Sequence, residues 1–164
     1  MEDSMEKDNF LRNWDREFQT TIKVLKAYPL ERQDYKPHEK SKSAKDLSWI
    51  FAAEEKSIIS GIITGQIDFR NMPSPPENMK ECISEFEKLH KENFNKMKNM
   101  PVAELNKTMK FPIGPKKMGD LRKIDVLWFL LMDQIHHRGQ FSVYIRLAGG
   151  KIPSIYGPTA DESW

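Results

Sequence analysis

Trp128-Phe-Leu-Leu-Met-Asp133-Gln-Ile-His136-His137-Arg138-Gly139-Gln140 is the stretch on which the fold turns. It sits in a segment predicted to be helical from near Asp120 to about Ala148, where Gly149-Gly150 stops it. Asp133 and His137 are four residues apart and so share a helical face. Val126, Leu130, Phe141 and Tyr144 fall on or near the same stripe. A carboxylate and an imidazole are thus aimed at an apolar interior, where a charge is costly unless it is paired or bound to a metal. Two readings stay open. The pair is structural, held by hydrogen bonds, or it binds a divalent metal as Asp-x3-His on one helix can.

Working outward, three further segments read as helices. The first runs from about Lys7 to Ala27, with Leu11, Trp14, Phe18, Ile22 and Leu25 on one face and Pro29 beyond its end. The second runs from Ala44 to about Ile63. Ser43 is its N-cap, Asp46 makes a capping-box variant, and Gly65 is the stop. The third spans about Pro76 to Lys98, with His90 on its inward side. The prolines of Phe111-Pro-Ile-Gly-Pro115 exclude helix there. The tail from Lys151 to Trp164 is irregular, and Ile152, Ile155 and Tyr156 suit it to packing on the body. Four amphipathic helices without convincing strands predict an all-α, single-domain chain over residues 1–164, a four-helix bundle with long connections.

Composition narrows the function. The net charge of +2 arises from 26 basic and 24 acidic residues, a solvated surface rather than a nucleic-acid footprint. The cluster Lys116-Lys117 with Arg122-Lys123 lacks interleaved aromatics. The longest apolar run, Val126 to Met132, is too short to span a membrane, and the polar N-terminus does not read as a signal peptide. The expected compartment is the cytoplasm. The lone Cys82, flanked by Glu81 and Glu85, suits a reducing compartment and is disfavoured as a nucleophile.

Several pieces together resemble the DinB/YfiT-like superfamily. They are Trp128-Phe-Leu-Leu, Asp133-x-Ile-His-His-Arg-Gly-Gln140, Tyr144-x-Arg-Leu, and the tail Ile152-Pro-Ser-Ile-Tyr-Gly-Pro-x-Ala-Asp161. Ser43-Ala-Lys-Asp-Leu47 resembles the opening of that family's second helix, and Phe111-Pro-Ile-Gly114 the segment before its last. The resemblance implies a four-helix bundle, often a homodimer, with a metal such as zinc or nickel held by three side chains. Two of these fall on Asp133 and His137. The third, a histidine on the second helix, falls on Ile50, which cannot bind metal. Glu54, one turn further on the same stripe, is the replacement candidate, whereas Glu55 points about 100° away.

The resemblance further implies a metal-dependent hydrolase or a transferase using a low-molecular-weight thiol, acting on a small molecule. The rival reading is a metal-free, small-molecule-binding or stress-related scaffold. Tyr156 and Arg146 are the candidates for binding cofactor or substrate at the mouth of the site. His136 faces a surface or a hydrogen-bond partner, Arg138 is free to pair with an acid such as Asp161, and His38 sits in a solvated loop.

Overall fold

The computed structural model describes residues 2–164. Four long helices carry the chain: α1 (Glu2–Lys26), α2 (Ala44–Thr64), α3 (Met79–Asn99) and α5 (Lys123–Leu147). A single turn, α4 (Val102–Leu105), and two strands, β1 (Thr108–Gly114) and β2 (Lys117–Arg122), separate α3 from α5. α1 packs on α3 and α5, and α2 packs on the same two partners.

The expectation of an all-α chain is corrected by that hairpin. β1 and β2 pair antiparallel from Thr108 opposite Arg122 to Gly114 opposite Lys117. Met109 and Phe111 alternate inward into the core, while the residues between them face water. That period-two burial drives strand formation, and Pro112 is tolerated because each strand of a two-stranded sheet is an edge. The turn is closed by Lys116 at φ 57°. Since β2 occupies Lys117–Arg122, the last helix begins at Lys123 rather than near Asp120.

Helix ends follow local chemistry. Ser43 Oγ accepts from the Asp46 N–H at 3.0 Å, as its capping position requires. Gly65 terminates α2 at φ 84°, a conformation that suits glycine. α3 starts at Met79 and not Pro76, because Asn78 caps it by accepting from the Glu81 N–H at 3.0 Å. α1 begins about five residues earlier than expected, at Glu2.

The core is two apolar clusters stacked along the helices. One gathers Leu25, Phe51, Phe86 and Phe141; the other gathers Trp14, Ile59, Met97 and Leu130. Each of the four long helices contributes to both clusters and carries polar residues where it passes between them. Glu55, His90, Asn93 and Gln134 are buried at this level. Glu55 accepts from Asn93 Nδ2 at 3.2 Å and Gln134 Nε2 at 3.3 Å, and lies 3.1 Å from His90 Nδ1. Satisfying a buried carboxylate three times over offsets much of its desolvation. His90 is otherwise a core ring, stacked on Phe18 with centroids 3.8 Å apart.

The tail after α5 is irregular, with Ile152 and Ile155 packed against the first cluster. Among the described residues no helix is long and apolar enough to cross a membrane.

Candidate metal centre

At the level of the polar layer, the α2–α5 groove brings three side chains together. Glu54 comes from α2, and Asp133 and His137 lie one turn apart on α5. His137 Nε2 is 3.4 Å from Glu54 Oε1 and 3.7 Å from Asp133 Oδ2. One ligand atom from each of the three lies within 4.8 Å of the others. Glu54 and His137 are largely shielded from water, and Asp133 is more open.

The other face of His137 is fixed as well. Its Nδ1–H donates to Gln140 Oε1 at 3.0 Å, and Gln140 Nε2 in turn donates to the exposed His136 at 2.9 Å. Gln140 thereby turns His137 Nε2 toward the carboxylates, as outer partners of metal-binding histidines do. The hydrogen bond to Glu54 holds His137 protonated and pushes its pKa up to about 9. Burial opposes this, while Gln140 and the charges of Glu54 and Asp133 add to it.

Two carboxylates and an imidazole are ligands that zinc and related ions accept. Glu54 Oε2 is buried and has no hydrogen-bond partner. A carboxylate oxygen withdrawn from water without a donor is an uncompensated acceptor, and a cation satisfies it. The three residues therefore fit a metal.

Beside His137 the groove widens into a cavity of about 520 Å³. Leu47, Ile50 and Val143 form an apolar wall, Gln140 and Tyr144 supply polar groups, and Lys42 lies at the rim. Ile50 thus faces the cavity next to His137, one turn before Glu54.

Tyr156 and Arg146 are engaged elsewhere. Arg138, adjacent to His137 in sequence but about 100° round the helix, is buried against α1. It bonds Glu17 Oε2 at 2.7 Å and the Glu17 carbonyl at 3.1 Å. The Tyr156 hydroxyl bonds both Arg138 and Glu17, closing a three-residue clasp on the α1 side of α5. Burial alone would raise the Glu17 pKa, but the bonds from Tyr156 and Arg138 and the charge of Arg138 bring it below the usual value. Arg146 pairs with Asp161 at 2.7 Å, so Asp161 serves Arg146 and not Arg138. Sequence reasoning missed Glu17 and Gln140. The one signal for Gln140 was its three-residue spacing from His137 on one helical face. Cys82 is buried, and burial pushes its thiol up. His38 is exposed in its loop.

A helical protein with a carboxylate–carboxylate–histidine cluster in an interhelical groove is the class these features define. The DinB family model matches residues 1–163, and the chain belongs to the DinB family. In sequence it is similar to YrdA of Bacillus subtilis, named an uncharacterized protein, at 27% identity over 96% of this chain and 91% of that one. Its fold is similar to that of a DinB-like protein from Bacillus cereus, with a TM-score of 0.76 and 21% identity over 91% of this chain and 97% of that one. YjoA, a DinB-like protein of Bacillus subtilis, superposes with a TM-score of 0.73 and 17% identity, covering 90% and 97%.

Proposed function

We propose that Glu54, Asp133 and His137 hold a divalent cation, zinc or nickel. On this reading the chain is a cytoplasmic, metal-dependent hydrolase or a transferase using a low-molecular-weight thiol. Its single domain is then a four-helix bundle with long crossover connections, to which the hairpin and tail are appended. The observation that carries the reading is the buried, unpartnered Glu54 Oε2 beside His137 and Asp133. A bound divalent cation would supply Lewis acidity, lowering the pKa of a thiol or water.

The remaining work belongs to the chain's own side chains. Gln140 orients His137. The apolar wall of Leu47, Ile50 and Val143 excludes water from the reacting end of a small molecule. Lys42 at the rim offers a cation to an anionic group on it.

Elemental analysis of untagged protein, followed by zinc and nickel titration of the stripped form, tests the reading. About one metal per chain, lost in Glu54→Ala, is the expected result; binding unchanged in Glu54→Ala overturns the ligand set.

A second reading has its own observation. Glu54 and His137 pair directly, and Ile50 fills the wall where the resemblance places a histidine. That arrangement suits a metal-free, small-molecule-binding or stress-related scaffold. Stoichiometric metal would exclude it; millimolar-range binding together with capture of a small molecule by the cavity would favour it.

A further inference from the structure

His90 on α3 is 2% exposed, and only one of its ring nitrogens is used. Nδ1 lies 3.1 Å from Glu55 Oε2. A carboxylate that also accepts from Asn93 and Gln134 makes Nδ1 the protonated nitrogen of the pair. In the neutral ring Nε2 is then a lone-pair acceptor, on the side of the imidazole turned from Glu55. It is buried and has no partner among the described residues. Such an atom costs free energy until something donates to it. A second orphan adjoins it. Trp14 Nε1 is also buried and unpartnered, and the Trp14 and His90 rings meet edge-on with centroids 4.6 Å apart. The same imidazole lines a cavity of about 370 Å³ between α1 and α3, within the size range of small-molecule sites. That groove lies opposite the α2–α5 groove that holds Glu54 and His137, since α1 and α2 each pack on both α3 and α5.

We infer that this cavity binds a small, neutral, hydroxylated aromatic molecule of the phenol class, its hydroxyl donating to His90 Nε2. Each part of that choice has its own observation. The hydroxyl supplies the donor that Nε2 lacks, and its oxygen is left to accept from a donor such as the Trp14 N–H. An aromatic ring is matched by Phe18 and Phe94, which line the cavity. Charge does not select an ion. Asp15 and Lys91 at the mouth offset one another, and Glu87 is held by Lys26 at 2.6 Å. Phe94 controls access. It is half-buried, and its ring centroid is 6.1 Å from that of Trp14 and 6.1 Å from that of His90. Nε2 is shielded as these rings stand, and Phe94 turns aside to admit the ligand. The site uses none of the proposed metal ligands and does not rest on the metal reading.

Phenol and toluene are the probes, since they share a shape and differ in the hydroxyl. Toluene is the more apolar of the two, so a merely apolar cavity would take it in preference. Titrated into the full chain without metal, phenol should bind at about one molecule per chain. It should bind about tenfold or more tightly than toluene, the order of what an unmet buried acceptor costs. In imidazole nitrogen spectra, phenol should move His90 Nε2 and leave His137 in place. His90→Phe keeps a ring on Phe18 and removes the acceptor, so it should erase the preference for phenol. Where that variant does not fold, the wild-type spectra decide. Absence of phenol binding, toluene bound as tightly as phenol, a His90 Nε2 resonance unmoved at saturating phenol, or a preference that survives His90→Phe would each overturn the inference.

Discussion

Glu54 and His137 meet at 3.4 Å across the groove between α2 and α5, and the second oxygen of the same carboxylate is buried with no donor. One oxygen of Glu54 is satisfied by the imidazole, and the other is the acceptor that the proposed cation would satisfy. Replacing Glu54 with Gln keeps the shape and removes the charge. Zinc affinity measured by calorimetry should fall by more than the roughly 10- to 100-fold that loss of an outer partner produces. An affinity within twofold of wild type would remove Glu54 from the ligand set.

A metal bound as proposed would have to displace the proton that Glu54 holds on His137. With that pKa at about 9, the imidazole is charged at neutral pH, and only its neutral form ligates. Zinc affinity should therefore rise about tenfold per pH unit from pH 7 and level off near pH 9. Titrations in buffers of different ionisation enthalpy should show close to one proton released per metal. In the metal-free protein the sign is opposite, because the folded pKa is raised. The stability from this pair is complete below about pH 6.5 and is lost as pH climbs through about 9. Urea midpoints across that window check it.

On the proposed reading, Gln140 would act on a bound metal only through His137. Gln140→Leu should cost roughly 10- to 100-fold in zinc affinity, and Gln140→Glu, which keeps an acceptor for Nδ1–H, should recover most of it. Imidazole nitrogen shifts in the zinc-loaded protein should show one His137 tautomer in wild type and Gln140→Glu, and a mixture in Gln140→Leu.

Ile50 occupies the cavity wall one turn from Glu54. Ile50→His should add a donor and raise zinc affinity by about an order of magnitude or more, since three protein ligands would become four. No change would mean that the Ile50 Cβ does not point at the triad.

The clasp of Glu17, Arg138 and Tyr156 bears on stability rather than on metal. Glu17→Ala leaves Arg138 charged, buried and unpaired, and should cost about 3–5 kcal/mol in urea unfolding. Tyr156→Phe should cost about 1–3 kcal/mol. Because the Glu17 pKa is depressed on folding, its contribution is present above the ordinary carboxylate range. It is lost as pH falls through the lower folded value. The acid transition should shift upward in Glu17→Gln, whereas zinc affinity should not change.

By itself the sequence determined the four long helices and both ends of α2, since apolar periodicity, the Ser43 cap and Gly65 act within a few residues of chain. It also set Asp133 and His137 on one face, because a four-residue step on a helix admits no other outcome. Tertiary structure alone decided what faces them. Ile50, Glu54 and Glu55 all lie on α2, but only the rotation of α2 against α5 turns Glu54 to His137 and Glu55 inward to His90 and Asn93. The partner of Arg138 was equally illegible: Glu17 is on α1, and its pairing depends on which helix α5 packs against. The hairpin was hidden for a related reason. A two-stranded ribbon has little intrinsic stability, and Met109 and Phe111 form strand only because a finished core receives them.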